Sequence, residues 1–345
     1  MVSCQISLLN SSLRSLFTDF MMGRLLKMKN SRTREFGSVS ISINPKAMRQ
    51  STKYEIQFAY GQREILLDFV GLERSNILIG ILQHGVRQME ITPDYSTYGH
   101  SKAPRIHYFG RSHIWVYSEG TKDYLKGCGI KKVEAIGAPW NYLPHNKFRD
   151  YSLDLIESQE RYIVFPDHGH LNMHVQITKE AVREKILYWR RISGHHNLSV
   201  CLYWSEFLIP AWQEVCKEEE VNLLTAGIGF ITPAWAPNLL RIEFLHNLSK
   251  ILQRHTHAIF ERDTSGIFYA ISLGLTVGYF PQTKPFTELE QVLPAHQTLI
   301  MEFPEILEQF VEADNLMSRC HKLLGYESMR TRTELKSILR YEDYL

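Results

Sequence analysis

Residues 257–281 read HAIFERDTSGIFYAISLGLTVGYFP, and this stretch decides the fold class. Its first four residues form an apolar run typical of a buried strand, residues 264–273 have the composition of a helix, and residues 275–280 form a second apolar run. Gly274 stands where the helix would end. A strand, a helix and a strand in succession predict a right-handed crossover and a parallel sheet.

The same alternation continues on the N-terminal side of this stretch. Further strands are predicted at residues 76–83, 113–118, 132–136, 161–165, 198–204 and 222–226, and helices at 119–128, 178–191, 206–218 and 238–254. Residues 53–70 alternate loosely between apolar and polar side chains and predict a hairpin instead. The pattern as a whole predicts an α/β protein with parallel sheets.

Length and charge bound the domain organisation and the partners. A chain of 345 residues corresponds to about two domains, and the polar stretch 141–158 predicts a linker between α/β domains at 1–150 and 151–345. The formal net charge is +2, with 39 basic and 37 acidic residues. That near balance argues against a nucleic-acid-binding protein that depends on a broadly basic surface.

Cysteines and hydropathy indicate the compartment. The five cysteines include no CxxC pair, so we expect neither a disulfide framework nor a structural zinc site, and a reducing, cytoplasmic location. No stretch approaches the roughly 18 apolar residues of a membrane-spanning helix. Residues 21–50 carry seven basic side chains and one acid, which predicts either a solvated basic surface or peripheral contact with the inner face of a membrane.

The distinctive polar residues follow predicted strands, at the edge where parallel sheets bind ligands. These strand-end segments are 83–85 (QHG), 137–140 (GAPW), 166–170 (PDHGH), 225–229 (TAGIG) and 261–266 (ERDTSG).

The order of three of these segments resembles the GT-B-type glycosyltransferases of bacterial surface-polysaccharide biosynthesis. The motifs are QHG at 83–85, IGAP at 136–139 and ERDTSG at 261–266, the last followed by a helix that ends SLG. They are similar to motifs of the CDP-glycerol glycerophosphotransferase and Kdo-transferase groups, and the resemblance covers about residues 76–285. It implies two facing Rossmann-like domains, of which the N-terminal one, on the acceptor side, is short or atypical and the C-terminal one binds the nucleotide donor.

The resemblance also implies a reaction. We expect transfer of a sugar from a nucleotide-activated donor to a surface-polysaccharide or glycolipid acceptor, with the nucleotide sugar as co-substrate and no tightly bound cofactor or metal. The alternatives are a glycerophosphotransferase or a nucleotide-sugar epimerase on the same fold, and a non-catalytic polysaccharide-assembly protein.

Three residues are candidates for the catalytic base. His84 follows a predicted buried strand, and imidazole accepts a proton near neutral pH. The alternative for His84 is a structural hydrogen bond within its loop. Glu90 and Asp94 in the following loop are rival bases, or simply surface charges.

The donor-site candidates come from four loops. Glu261 is expected to hold ribose hydroxyls, while Thr264 or Ser265 caps a helix whose free amides, with Gly266, face phosphate. The alternative is a routine capped helix. Gly137 allows a backbone amide to face the ligand, or serves only the turn.

Histidines complete the predicted donor site. His168 and His170 are expected to face the donor phosphate or sugar; their HxH spacing also fits zinc, but no second ligand cluster accompanies it. His255, at the end of a predicted helix, is expected to neutralise phosphate, or else to complement the helix dipole.

Overall fold

The computed structural model describes residues 33–36, 39–42, 60–73, 77–78, 80–83, 86, 113–127, 129–144, 160–167, 177–194, 197–227, 243–262, 264–281 and 302–342. The chain divides into two compact units. One comprises residues 1–55 and 232–241, and its described part is a short antiparallel pair of strands. The other comprises residues 56–231 and 242–345 and contains everything discussed below.

The described strands are β1 (Thr33–Phe36), β2 (Val39–Ser42), β3 (Ile77–Leu78), β4 (Ile81–Leu82), β5 (Ile114–Val116), β6 (Val133–Ala135), β7 (Arg161–Phe165), β8 (Asn197–Leu202), β9 (Asn222–Thr225), β10 (His257–Phe260), β11 (Thr276–Tyr279), β12 (Phe310–Val311) and β13 (Tyr341–Glu342). The described α-helices are α1 (Gln62–Val70), α2 (Glu119–Gly127), α3 (Lys179–Ile192), α4 (Trp204–Phe207), α5 (Pro210–Glu218), α6 (Phe244–Leu252), α7 (Gly266–Ser272), α8 (Ala313–Leu324) and α9 (Arg332–Ile338).

The larger sheet has six strands in the order β12-β11-β10-β7-β8-β9. Five of them are parallel, and β12 is antiparallel to its neighbour β11. Val164, Ile259 and Val277 in the middle of the sheet are fully buried, as expected for parallel strands that are covered on both faces. The predicted α/β class is therefore confirmed, and the strand, helix and strand of residues 257–281 are present as β10, α7 and β11.

The smaller sheet is parallel, with the order β4-β5-β6. Residues 76–83 do not form the single strand that their apolar run predicted. They form β3, which pairs antiparallel with β13, and β4, which joins the parallel sheet. Gly80 lies between the two, and a Cβ there would come within 2.4 Å of the Trp115 ring, so the chain passes the tryptophan where only glycine fits.

Residues 53–70 do not form the predicted hairpin in the part that is described. Residues 62–70 form helix α1 instead. Its buried apolar residues, Ile65, Leu66, Leu67 and Val70, are spaced for one helical face as well as for a strand. Glycines with positive φ flank the helix at both ends, so the helix is delimited by turns that only glycine adopts easily.

Other elements are shorter than predicted, such as the helix predicted at 238–254, which is described as Phe244–Leu252, and two further differences have a local cause. The predicted helix 206–218 is divided into α4 and α5, because Pro210 lacks the N–H that a continuous helix would need and instead begins a new helix. The predicted strand 198–204 ends at Leu202, since Trp204 already belongs to α4.

The C-terminal segment packs against the smaller sheet. The Arg330 guanidinium donates to the Ala135 carbonyl at 3.0 Å and to the Glu119 carboxylate at 3.2 Å. Gly325 has a φ of +67°, and a Cβ there would lie 1.7 Å from the Tyr117 carbonyl oxygen. The segment after α8 therefore approaches β5 at backbone distance.

The predicted domain boundary at residue 150 lies outside the described residues, and the division into 1–150 and 151–345 stays a prediction. The first residues of the predicted linker are packed, however: Asn141 and Tyr142 are buried in a 3₁₀ turn. Among the described helices, none is both long and apolar enough to cross a bilayer.

Candidate functional site

The six-stranded sheet reverses its strand order between β7 and β10. From β7 the chain adds β8 and β9 on one side, and from β10 it adds β11 on the other. Ligands of open α/β sheets bind outside the carboxyl ends of the strands at such a reversal. Asp167 follows β7 at this edge, and Glu261 and Arg262 follow β10. With Lys185 and Trp189 of α3, these residues form what we call the switch-point site.

Glu261 is the centre of the switch-point site. Its carboxylate accepts hydrogen bonds from Trp189 Nε1 at 2.7 Å, from Lys185 Nζ at 2.9 Å and from the Asp167 backbone N–H at 3.0 Å. Only 1% of its side chain is exposed. The prediction placed Glu261 correctly at a strand end, but three protein donors already hold the carboxylate. Within the fold Glu261 therefore positions these three donors, and its predicted contact with ribose stays a prediction.

The charges that reach the solvent at this site belong to its neighbours. Arg262 Nη1 lies 3.3 Å from Asp167 Oδ1, and half of the Asp167 side chain is exposed. Lys185 is partly exposed and its ammonium lies over the Trp189 ring, 5.6 Å from the centroid. The Glu261 carboxylate thus holds the Lys185 ammonium beside the strand ends, and Asp167 holds the Arg262 guanidinium there in an ion pair that is partly exposed to solvent.

The predicted helix cap after β10 is weaker than expected. Ser265 occupies the cap position of α7 but makes no capping hydrogen bond with its side chain. Thr264 Oγ1 accepts a long bond, 3.4 Å, from the Gly266 N–H. A Cβ at Gly266 would lie 3.1 Å from the Phe260 ring, so this glycine allows the helix to pack closely on β10.

Gly137 does not offer its amide to a ligand. Its N–H donates to the Tyr117 carbonyl at 3.0 Å, because its φ of +75° turns the chain back along β5. Next to it, Trp140 stacks on Tyr269 with ring centroids 4.3 Å apart and donates to Ser272 Oγ at 2.9 Å. The segment 137–140 therefore contacts α7, the helix that follows the 261–266 motif, but through the buried rings of Trp140 and Tyr269.

His255 lies at the opposite edge of the sheet, just before β10 begins. Its Nδ1 is 2.8 Å from the Ile251 carbonyl oxygen and its Nε2 is 2.9 Å from Ser199 Oγ. Burial, with smaller contributions from Arg161 and Arg254, lowers its pKa to about 4. His255 is therefore neutral near pH 7 and hydrogen-bonded within the fold at the amino edge of the sheet, and its predicted contact with the donor phosphate stays a prediction.

The lowered pKa of His255 predicts a loss of stability in acid. The unfolded chain takes up this proton below its ordinary pKa of 6.5, whereas the folded chain takes it up only near 4, so stability falls as the pH falls between these values. We expect the free energy of unfolding to fall by about 3 kcal/mol in total over this pH range, because of the difference between the two pKa values. Urea unfolding of the protein and of His255→Gln at several pH values in this range measures the loss. The variant should lack this part of the pH dependence. If the free energy of unfolding falls with pH equally steeply in both proteins, the loss in acid does not come from His255.

Five predicted site residues, His84, Glu90, Asp94, His168 and His170, lie outside the described residues, so their roles stay predictions. Over the part of the chain that the structure does describe, no group of three or more His, Cys, Asp or Glu side chains could hold a metal ion.

Lys185 and Trp189 were not among the site residues predicted from the sequence. Both lie on α3, four residues apart and therefore on one face of the helix. The amphipathic pattern predicted the helix but gave no reason to prefer these two residues over the other basic and aromatic side chains beside them. A helix that follows β7 returns along the sheet, which places its inner face near the strand ends but does not single out these two residues.

The chain matches no protein-family model and no curated protein sequence. Among solved structures it is similar to the UDP-GlcNAc 2-epimerase of Neisseria meningitidis bound to UDP-GlcNAc, with 15% identity over 76% of this chain and 67% of that one and a TM-score of 0.34. It is similar to S. aureus MnaA with UDP (12%, over 73% and 63%, TM-score 0.36) and to UGT89C1 of Arabidopsis thaliana (9%, over 75% and 60%, TM-score 0.35). The chain thus spans 60–67% of the length of these structures, and similarity this low identifies neither a substrate nor a reaction for it.

Proposed function

We propose that the protein is a glycosyltransferase that moves a sugar from a nucleotide-activated donor to a surface-polysaccharide or glycolipid acceptor. The observation that supports this most is the reversal of strand order between β7 and β10, with Lys185 and Arg262 beside the carboxyl ends of these strands. Ligands of α/β sheets bind at such reversals, and ammonium and guanidinium groups make strong charge-assisted hydrogen bonds to phosphate oxygens.

In this proposal the residues divide into two roles. The donor lies over the switch-point site, with Thr264–Gly266 and the histidines His168 and His170 beside its phosphates or sugar. His84 removes the proton as the acceptor hydroxyl oxygen attacks the anomeric carbon and the bond from that carbon to the diphosphate breaks. Glu90 and Asp94 are the rival bases. Lys185 and Arg262 neutralise the leaving diphosphate, so the reaction needs no tightly bound metal.

The proposal keeps the finer expectations from the sequence. The acceptor belongs to the N-terminal part of the chain, and the enzyme works in the cytoplasm, in peripheral contact with a membrane through the basic residues 21–50. A glycerophosphotransferase or an epimerase would use the same donor site. Release of nucleotide with transfer to an added acceptor separates a transferase from an epimerase.

Nucleotide binding is the direct test. We expect one of CMP, CDP, UDP and GDP to raise the melting temperature of the protein, because a ligand that binds only the folded state stabilises it, by about 2.7 kcal/mol at a hundred times its Kd. Arg262→Gln should reduce the shift. Arg183→Gln is the matched control, since it removes a different exposed ion pair, with Glu218, and should leave the shift unchanged.

Two outcomes would overturn the proposal. If none of the four nucleotides stabilises the protein, the non-catalytic assembly role is favoured. If a nucleotide stabilises the protein but Arg183→Gln and Arg262→Gln reduce the shift in melting temperature equally, the donor does not lie at the switch-point site.

A further inference from the structure

A cavity of about 600 Å³ opens at the edge of the large sheet where β7, β8 and β9 begin. This amino-edge cavity is lined by Arg161, Asn197, Ser199, Asn222, Arg254 and His255, among others. Its size is that of a small-molecule pocket. It lies at the opposite ends of the strands from the switch-point site, and the proposed function makes no use of it.

Two arginines of the cavity have no carboxylate partner among the residues that the structure describes. Arg161 and Arg254 form no ion pair with any carboxylate of the described residues, and both face His255 closely enough to lower its pKa. A third arginine of the lining, Arg190, is different, because Glu219 accepts from it with both its carboxylate and its backbone carbonyl. The lining contains one acid, the exposed Glu220. A helix dipole accounts for a basic residue after α6 but not for Arg161, which is on a strand.

Beside these arginines, the cavity is lined by uncharged side chains that are hydrogen-bonded to one another. A carbonyl oxygen can only accept, so the Ile251 carbonyl fixes the proton of His255 on Nδ1, and Nε2 accepts from the Ser199 hydroxyl. The Ser199 oxygen in turn faces Asn222 Nδ2 at 3.4 Å. The imidazole and hydroxyl therefore satisfy each other, and the lining beside the arginines also includes the side chains of Asn197 and Asn222.

We propose that the amino-edge cavity binds an organic phosphate of sugar-phosphate size. Arg161 and Arg254 both line the cavity and hold the phosphate, because a guanidinium group matches phosphate oxygens in charge and geometry. Asn197 and Asn222 face its hydroxyl groups, and Leu224 and Ile251 line the apolar side. Inorganic phosphate shares the charge but leaves most of the 600 Å³ empty.

Binding of glucose 6-phosphate, measured by calorimetry at constant ionic strength, is the test. We expect it to bind more tightly than inorganic phosphate, and neutral glucose not to bind measurably. Arg161→Gln and Arg254→Gln should each weaken binding about tenfold or more, since a hydrogen bond to a charged group is lost. Glu220→Gln should strengthen it, because the acid that repels the phosphate is removed.

Lys250→Gln and Arg191→Gln are the matched controls. Both are exposed basic residues on α6 and α3 that do not line the cavity, and binding should be unchanged in both. The proposal is overturned if the controls weaken binding as much as the cavity variants do, if inorganic phosphate binds as tightly as the ester, or if neither phosphate binds.

Arginine modification gives a second readout on the unaltered protein. Phenylglyoxal reacts with accessible guanidinium groups, and mass spectrometry locates the products. Glucose 6-phosphate should protect Arg161 and Arg254 but leave Arg191 reactive. Protection of Arg262 in their place would assign the ligand to the switch-point site and overturn the cavity proposal, while failure of the nucleotide test alone would leave this result unaffected.

Discussion

Glu261→Ala should lower the free energy of unfolding by about 3 to 5 kcal/mol, the usual cost of removing one partner from a buried ion pair. The carboxylate is 1% exposed and holds Lys185, Trp189 and the Asp167 backbone together. Without it, the buried Trp189 N–H and the Asp167 N–H lose their acceptor, and each unsatisfied donor is costly. Urea unfolding followed by circular dichroism measures the change.

Glu218→Ala is the control for this variant. Its carboxylate pairs with Arg183 at the surface, where 49% of the glutamate side chain is exposed, and the expected cost is below about 1 kcal/mol. If Glu261→Ala unfolds as easily as the control does but no longer binds nucleotide, then Glu261 contacts the donor directly, as the sequence predicted, and the positioning role is wrong.

The sequence predicted those elements whose signal is local. Arg161–Phe165 and His257–Phe260 were predicted with their observed bounds, because each is a continuous apolar run buried on both faces of the sheet. Helix α3 was predicted within one residue at each end. Its apolar face and the Thr178 cap, which accepts from the Ala181 N–H, both lie within one segment.

Elements that depend on distant partners were not predictable in this way. The break at Gly80 reflects two neighbours from far along the chain: Trp115, which fills the space at the glycine, and β13, which pairs with β3. The periodicity of residues 76–83 contains no trace of either. Likewise, the apolar spacing of α1 fits a strand as well as a helix, and in the structure this helix packs against the Pro139–Tyr142 turn and against α9, both distant in the sequence.

At the candidate site, the position of Glu261 at a strand end follows from the local pattern of β10. Its side-chain partners on α3 lie 72 and 76 residues earlier in the chain, and the local pattern gave no indication of these contacts. For His255, the basic helix end was visible in the sequence, but neither its burial nor its hydrogen bond to Ser199, 56 residues away, could be read from it.

Gln83 is described by the structure and comes directly before His84, the predicted catalytic base. It is fully buried at the carboxyl end of β4, its N–H donates to the Trp115 carbonyl at 2.9 Å, and its side-chain oxygen accepts from the Tyr117 N–H at 2.9 Å. The strand end is thereby fixed to β5 by both backbone and side chain. His84 follows it in the sequence, and the carboxyl edge of a parallel sheet is where α/β proteins place ligand-binding residues.

His84→Ala should therefore reduce turnover with a nucleotide-sugar donor by about 10² to 10⁴, the usual contribution of a general base. Donor affinity should change little, because the residues proposed to hold the nucleotide belong to the other sheet. Measuring kcat and nucleotide Kd on the same preparations separates the two effects. Glu90→Gln and Asp94→Asn are the controls, since each keeps the size of the rival base and removes its charge. If Glu90→Gln abolishes turnover while His84→Ala reduces it only slightly, the glutamate takes the proton from the acceptor hydroxyl. His84 then stabilises its own loop or positions the acceptor.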